Sequence, residues 1–137
     1  MKLSTYLLFY GNCKPAMEYY APVLIGELNI YLVGESRMTG MFPELMHHLV
    51  ANSTIASVNL KLSASDFLQT SEKLVQSNKL SLYIDGGSAE GIKNAYNRLM
   101  KDAQVTDPFA EHPFGLFGAL QDKFGVRWGF QKALDSE

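Results

Sequence analysis

The fold is decided by two similar stretches of sequence, YLLFYGNCKPAMEYY at residues 6–20 and LSLYIDGGSAEGIKNAY at residues 80–96. Each begins with an apolar segment typical of a β-strand, continues through a turn that contains glycine, and ends in a segment with helical spacing of apolar residues. The two copies lie about half a chain length apart, which indicates two similar modules. Since paired β-rich modules usually enclose a cavity, we expect a cavity between them.

The composition is that of an ordinary globular protein. Of 137 residues, 47% are hydrophobic and 19% are charged, and the formal net charge is −2, so the chain has no electrostatic signature for binding nucleic acid. No apolar run approaches the roughly 18 residues of a membrane span, and the start of the chain has no signal-peptide pattern. A single cysteine, Cys13, favours a reducing compartment. We therefore expect a cytoplasmic protein that forms one domain over residues 1–137.

The first module, about residues 1–72, is predicted to contain four strands and one helix. The strands are placed at 4–10, 28–33, 54–62 and 66–70, and the alternation of apolar and polar residues over 54–62 is the clearest strand pattern in the chain. Asn12 is expected to cap the helix, and Pro22 to kink it or to end it near Ala21. The predicted apolar stripe of this helix is Cys13, Met17, Tyr20 and Leu24.

The second module, about residues 77–137, repeats this plan. Its strands are predicted at 80–84, 104–109, 112–120 and 126–131. Ser88 is expected to cap a helix with the apolar stripe Ile92, Ala95, Tyr96 and Leu99. The predicted fold class is therefore α+β, with the order βαβββ used twice.

Several segments resemble the PhnB-like branch of the vicinal oxygen chelate superfamily, which includes glyoxalases, bleomycin-resistance proteins and dioxygenases. The segments are FYGNC at 9–13, AMEYY at 16–20, Ile84-Asp85, EHPFG at 111–115 and DKFGVRW at 122–128. The resemblance implies two curved sheets that close around a central pocket, usually in a homodimer. In metal-dependent members, His and Glu side chains from both modules hold a divalent cation, which acts as a Lewis acid.

The positions of the metal ligands are filled differently in this sequence. Matching strand for strand places them at Thr5, Gln69, Lys79 and Gly129. None of these residues has an imidazole or a carboxylate, and a lysine ammonium repels a cation. The alternating strand often carries a His in the PhnB-like branch, and Ser57 stands there. We therefore expect no catalytic metal at that site and no cofactor.

Two functions remain open. The first is metal-free binding of a small apolar or aromatic molecule, with Ser57, Gln69, Lys79, Phe114 and Trp128 as the candidate ligand-binding residues. The second is an enzyme of glyoxalase or dioxygenase type with a displaced metal or acid/base site, in which the catalytic residues would be His112 and Glu111. Alternating residues of a strand point to opposite faces, so at most one of that pair faces inward.

Two further features of the sequence resemble known kinds of functional site. The turn Asp85-Gly86-Gly87-Ser88 lacks the Gly-x-Gly-x-x-Gly and Walker spacings, which counts against a methyltransferase, a name that family members sometimes carry. Cys13 lies at a predicted helix N-terminus, where a thiolate would be favoured. Its spacing with Met17 and Tyr20 instead favours a small buried apolar residue.

Overall fold

The computed structural model describes residues 1–66, 75 and 77–133. The chain divides into two compact units, Met1–Val75 and Gln76–Glu137. Within the described residues, each unit contains one α-helix and one four-stranded sheet, which confirms the predicted α+β class with two βαβββ modules. The cavity between the modules and the single-domain organisation stay predictions.

The first unit follows the order βαβββ. Its parallel pair joins β1 to β4, and the sheet continues through β3 to β2 with antiparallel pairs. Three short 3₁₀ turns lie between β2 and β3. The helix and strands of this unit are β1 (Thr5–Phe9), α1 (Cys13–Leu24), β2 (Glu27–Leu32), β3 (Val50–Ser57) and β4 (Leu60–Asp66).

The helix α1 packs one face into the core of its unit. Its buried residues recur at helical spacing, as predicted, and are Cys13, Ala16, Met17, Tyr20 and Val23. Pro22 does not end the helix near Ala21, but lies inside the last turn, where its missing N–H removes one intrahelical hydrogen bond without stopping the helix. The helix instead continues to Leu24 and stops where Ile25 adopts a left-handed φ of 52°.

The single strand predicted over 54–62 is wrong, because this segment is the hairpin of β3 and β4. Val58 and Asn59 form its two-residue turn, and Ile55 and Leu62 are register partners that are both buried. Val58 is 98% exposed. Because Val58 is apolar, the apolar/polar alternation of the sequence continues across the turn. The turn nevertheless shifts which residues face the core, so the alternation does not describe one strand. The strand predicted at 66–70 begins where β4 ends, and its remaining residues lie outside the described ones.

The second unit repeats the topology of the first. β5 pairs in parallel with β8, and β8, β7 and β6 follow one another with antiparallel pairs. The elements are β5 (Leu82–Asp85), α2 (Ala89–Leu99), β6 (Gln104–His112), β7 (Gly115–Gln121) and β8 (Arg127–Ala133).

The helix α2 agrees with its prediction. The hydroxyl oxygen of Ser88 accepts a hydrogen bond of 2.9 Å from the backbone N–H of Gly91. The buried residues are the expected stripe, Ile92, Ala95, Tyr96 and Leu99. Neither α1 nor α2, nor any shorter helix in the described residues, is long and apolar enough to cross a membrane.

The turn between β6 and β7 differs from the sequence prediction. The predicted break after Phe109 is absent, because β6 continues to His112. Pro113 and Phe114 form the turn, and Gly115 pairs with His112. Gly115 has a φ of 130°, a left-handed conformation that favours glycine. His112 therefore ends a strand rather than beginning one.

Candidate functional site

Three aromatic rings meet at the tip of the β6–β7 hairpin. The imidazole of His112 is stacked on the ring of Phe114, with a centroid separation of 5.2 Å and an interplanar angle of 2°. Phe117, on β7, presents its ring edge-on to both, at 6.4 Å from His112 and 6.1 Å from Phe114. Parallel-offset and edge-to-face contacts are the geometries that aromatic rings prefer. We call these three residues the aromatic cluster.

The aromatic cluster lies on the face of its sheet that is opposite α2. Phe130 and Gly118 are register partners that face Tyr96 of α2. Their neighbours Phe117 and Gln131 are also register partners, and by strand alternation they face the other way. Phe114 is 53% exposed, while His112 and Phe117 are half-buried. A partly exposed group of aromatic rings is thus presented on this face.

Trp128 takes a different place from the one that sequence analysis gave it. Its side chain is only 2% exposed, and its indole lies nearly parallel to the ring of Phe130, at 6.3 Å and 17°. Its Nε1–H donates a hydrogen bond of 2.8 Å to a carboxylate oxygen of Asp122. The indole therefore belongs to the core beneath α2, and we do not include it in a ligand-binding surface.

Asp122 explains why Trp128 is held in this way. The other carboxylate oxygen accepts hydrogen bonds from the backbone N–H groups of Phe124, at 2.8 Å, and Val126, at 3.0 Å. The carboxylate closes the β7–β8 turn and satisfies the indole at the same time. In the DKFGVRW segment, which carries much of the family resemblance, Asp122 and Trp128 therefore stabilise the β7–β8 turn and the core.

Among the remaining candidate residues, Glu111 faces away from the aromatic cluster. Glu111 precedes His112 on β6, so its side chain points to the opposite face. Ser57 is exposed at the end of β3, in the first unit. Lys79 is exposed and precedes β5. Gln69 lies outside the described residues.

The expected metal positions carry no ligands where the structure describes them. Thr5 is exposed at the start of β1, and Gly129 has no side chain. Across residues 1–66, 75 and 77–133, no three His, Cys, Asp or Glu side chains come together in a group that could hold a metal ion. The metal-free interpretation stays a prediction.

Sequence analysis missed the polar pair formed by Tyr83 and Gln131. Tyr83 lies on β5, next to β8, and its ring covers Gly129. Its hydroxyl donates a hydrogen bond to Oε1 of Gln131. Alternation along β5 could have placed Tyr83 on the face opposite α2, but no sequence signal pairs it with Gln131.

Sequence analysis also missed a buried carboxylate in the first unit. Asp66, at the end of β4, accepts hydrogen bonds through Oδ1 from the backbone N–H groups of Gly11, at 2.8 Å, and Cys13, at 3.1 Å. Its Oδ2 accepts another, of 2.9 Å, from Val50. Asn12, the predicted cap, makes no side-chain hydrogen bond of this kind. The start of α1 is therefore held by a residue more than fifty positions away.

Comparison with known proteins agrees with the fold. The family model described as 3-demethylubiquinone-9 3-methyltransferase matches residues 1–131. Protein YjdN of Escherichia coli (strain K12) is 28% identical over 139 residues, covering 93% of this chain and 92% of YjdN.

Solved structures show the same fold. The crystal structure of protein PA1353 from Pseudomonas aeruginosa has a TM-score of 0.85 at 23% identity, and the match covers 98% of this chain and 99% of PA1353. A putative 3-demethylubiquinone-9 3-methyltransferase, PhnB protein, from Bacillus cereus has a TM-score of 0.74 at 24% identity, covering 97% and 100% of the two chains. Proteins of the glyoxalase/bleomycin resistance/dioxygenase group share this fold. The fold is shared with the PhnB protein and with the glyoxalase/bleomycin resistance/dioxygenase group, and the chain belongs to the family described as 3-demethylubiquinone-9 3-methyltransferase.

Proposed function

We propose that this PhnB-like protein binds a small aromatic molecule through its aromatic cluster and does so without a metal. The observation that carries the proposal is the stacked, partly exposed pair of His112 and Phe114, with Phe117 edge-on beside it. A planar ligand gains binding free energy by contact with such rings, and small-molecule sites are typically apolar and aromatic with a few polar groups.

The geometry favours binding over acid/base catalysis. A catalytic histidine needs a partner that orients it, and Glu111 points to the other face of β6. The imidazole of His112 instead lies flat on the Phe114 ring. An enzyme with a displaced site near His112 remains the competing hypothesis.

A ligand titration tests the proposal. Purified protein is titrated with small aromatic compounds, and binding is followed by amide chemical-shift changes in heteronuclear NMR spectra. We expect Phe114→Ala to weaken binding about tenfold, because it removes about 1.4 kcal/mol of ring contact. The matched control is Met100→Ala, because Met100 is also exposed, at 44%, and lies at the end of α2, which packs on the other face of the same sheet.

The same spectra verify that each variant is folded. Binding that survives unchanged in both Phe114→Ala and His112→Ala would contradict the assignment of the surface. Turnover of a bound compound that is abolished in His112→Ala would favour the enzyme hypothesis instead.

The proposal includes a homodimer in the cytoplasm. Dimers are what the family resemblance implies, and the free, buried thiol of Cys13 is compatible with a reducing compartment. Light scattering of the purified protein measures the oligomeric state, and a monomeric mass at micromolar concentration would contradict the dimer.

A further inference from the structure

The side chain of Tyr83 occupies the place of a missing side chain on the next strand. Tyr83 and Gly129 are register partners on β5 and β8. A Cβ at position 129 would lie 2.7 Å from Cδ2 and 2.8 Å from Cε2 of the Tyr83 ring. Real Cβ atoms do not come so close to ring carbons, so only glycine allows the tyrosine ring to lie across β8.

This position brings the hydroxyl of Tyr83 to Gln131. The hydroxyl donates to Oε1 of the carboxamide, so the amide N–H groups of Gln131 keep their capacity to donate and the hydroxyl oxygen keeps its capacity to accept. Tyr83 is 53% exposed, and Gln131 is half-buried. The two side chains therefore present an adjacent donor and acceptor, both uncharged.

The polar pair adjoins the aromatic cluster. Gln131 is the register partner of Phe117, and the Cβ atoms of such partners lie about 5 Å apart. Phe117 in turn contacts His112 and Phe114. An aromatic ligand on the cluster would thus reach the polar pair with a substituent on its ring.

Among the described residues of β5 and β8 on this face, the charge next to the polar pair is negative. Asp85 is the register partner of Gln131 on the other side, in β5, and so faces the same way. Arg127 shares this face, but it lies four residues from Gln131 along β8, which is about 13 Å. The adjacent carboxylate would repel an anionic substituent much more strongly than the distant guanidinium would attract it.

We propose that Tyr83 and Gln131 form the polar half of the ligand site and select uncharged aromatic compounds that carry a hydroxyl or amide group. Aromatic carboxylates are disfavoured by Asp85. This inference rests on the proposed function of the aromatic cluster, and it adds the chemical class of the ligand.

Three probes of similar size test the inference: 2-naphthol, 2-methylnaphthalene and naphthalene-2-carboxylate. Each is titrated at pH 7 into the wild-type protein, Tyr83→Phe and Tyr31→Phe, with binding followed by NMR chemical shifts. The Tyr83→Phe variant keeps the ring over Gly129 and removes only the hydroxyl. Tyr31→Phe is the matched control, because Tyr31 has nearly the same exposure as Tyr83, 55% against 53%, and does not belong to the polar pair.

We expect 2-naphthol to bind wild type about fivefold more tightly than either other probe, the effect of one net hydrogen bond. Tyr83→Phe should remove this preference, and Tyr31→Phe should leave it unchanged.

Equal affinities for 2-naphthol and 2-methylnaphthalene, unaffected by Tyr83→Phe, would overturn the inference and leave the proposed function standing. Carboxylate affinity equal to that of 2-naphthol would overturn the exclusion of anions. Failure of all three probes to bind would overturn the proposed function itself, and the inference with it.

Discussion

At the scale of single residues, the tertiary environment of Cys13 opposes the effect of its position at a helix start on the pKa of its thiol. The start of a helix favours a thiolate, but this sulfur is fully buried and lies 3.6 Å from the hydroxyl of Ser53. Burial is the main cause that raises the pKa of Cys13 to about 11; the hydrogen bond with Ser53 lowers the pKa by less than burial raises it, and the charge of Asp66 makes a still smaller upward contribution. The thiol therefore behaves as a small apolar residue, as its spacing with Met17 and Tyr20 predicts.

This pKa gives the stability of the protein a pH dependence. The unfolded state loses the thiol proton near the ordinary pKa of 9.0, before the folded state does at about 11. The contribution of Cys13 is thus constant below about pH 9 and is lost as the pH rises toward 11. We expect urea unfolding of wild type to show a steeper loss of stability over this range than Cys13→Ala. If stability fell with pH by the same amount in the two proteins, the interpretation of Cys13 as a buried neutral thiol would be contradicted.

At the scale of elements, close contact between β7 and α2 depends on a small residue. Gly118 lies on the face of β7 that is turned toward Tyr96 of α2. The rings of Tyr96 and Phe109 meet above it, with centroids 5.4 Å apart. A glycine in a strand often marks such a close approach.

Substitution of Gly118 should therefore weaken the packing of α2 on its sheet. A Cβ there would lie 3.0 Å from Cα and Cδ2 of Phe109 and from Cε2 of Tyr96. We expect Gly118→Ala to lower the free energy of unfolding by about 1–2 kcal/mol, the usual cost of overpacking. Gly40→Ala is the control, since a Cβ at that position meets nothing within 4 Å. Equal free energies of unfolding of the two variants in chemical denaturation would contradict the prediction, because they would show that β7 and α2 accommodate the added Cβ without cost.

At the scale of the whole molecule, the chain builds the same βαβββ topology twice. In each unit the first strand pairs in parallel with the last, as Thr5 does with Leu62 and Leu82 with Trp128. Such pairs require a long connection, which the helix and the two middle strands provide. The two units resemble each other in topology but differ in the hydrogen bonds of their buried carboxylates. Asp66 accepts hydrogen bonds from backbone N–H groups only, whereas Asp122 also accepts one from the indole of Trp128.

The resemblance of the sequence to the vicinal oxygen chelate superfamily implies a metal site, but we expect that this chain does not respond to a divalent cation. Thr5, Lys79 and Gly129 offer no imidazole or carboxylate at the expected positions. We expect the melting temperature of chelator-treated protein to stay unchanged on addition of Mn²⁺ or Mg²⁺. A rise of several degrees that disappears in His112→Ala would instead support a displaced metal site and the enzyme hypothesis.

Much of the fold could be predicted from local patterns, because strand alternation, helical spacing and glycine turns depend on neighbouring residues. The stripe of α2 from Ile92 to Leu99 and its Ser88 cap are examples. The β3–β4 hairpin was mispredicted because Val58 is apolar at an exposed turn. The position of Trp128 was mispredicted because the face of a strand that a helix covers is decided by packing.

The sequence by itself determined the two βαβββ modules and the absence of imidazole and carboxylate side chains at Thr5, Lys79 and Gly129. Only the tertiary structure decided which side chains and backbone groups meet within each module. It set Asp66 against Gly11 and Val50, and it laid the ring of Tyr83 across Gly129 to reach Gln131. The physical reason is that these contacts join strands or turns far apart in sequence, whose register depends on burying apolar side chains against a helix, and no local pattern encodes that register.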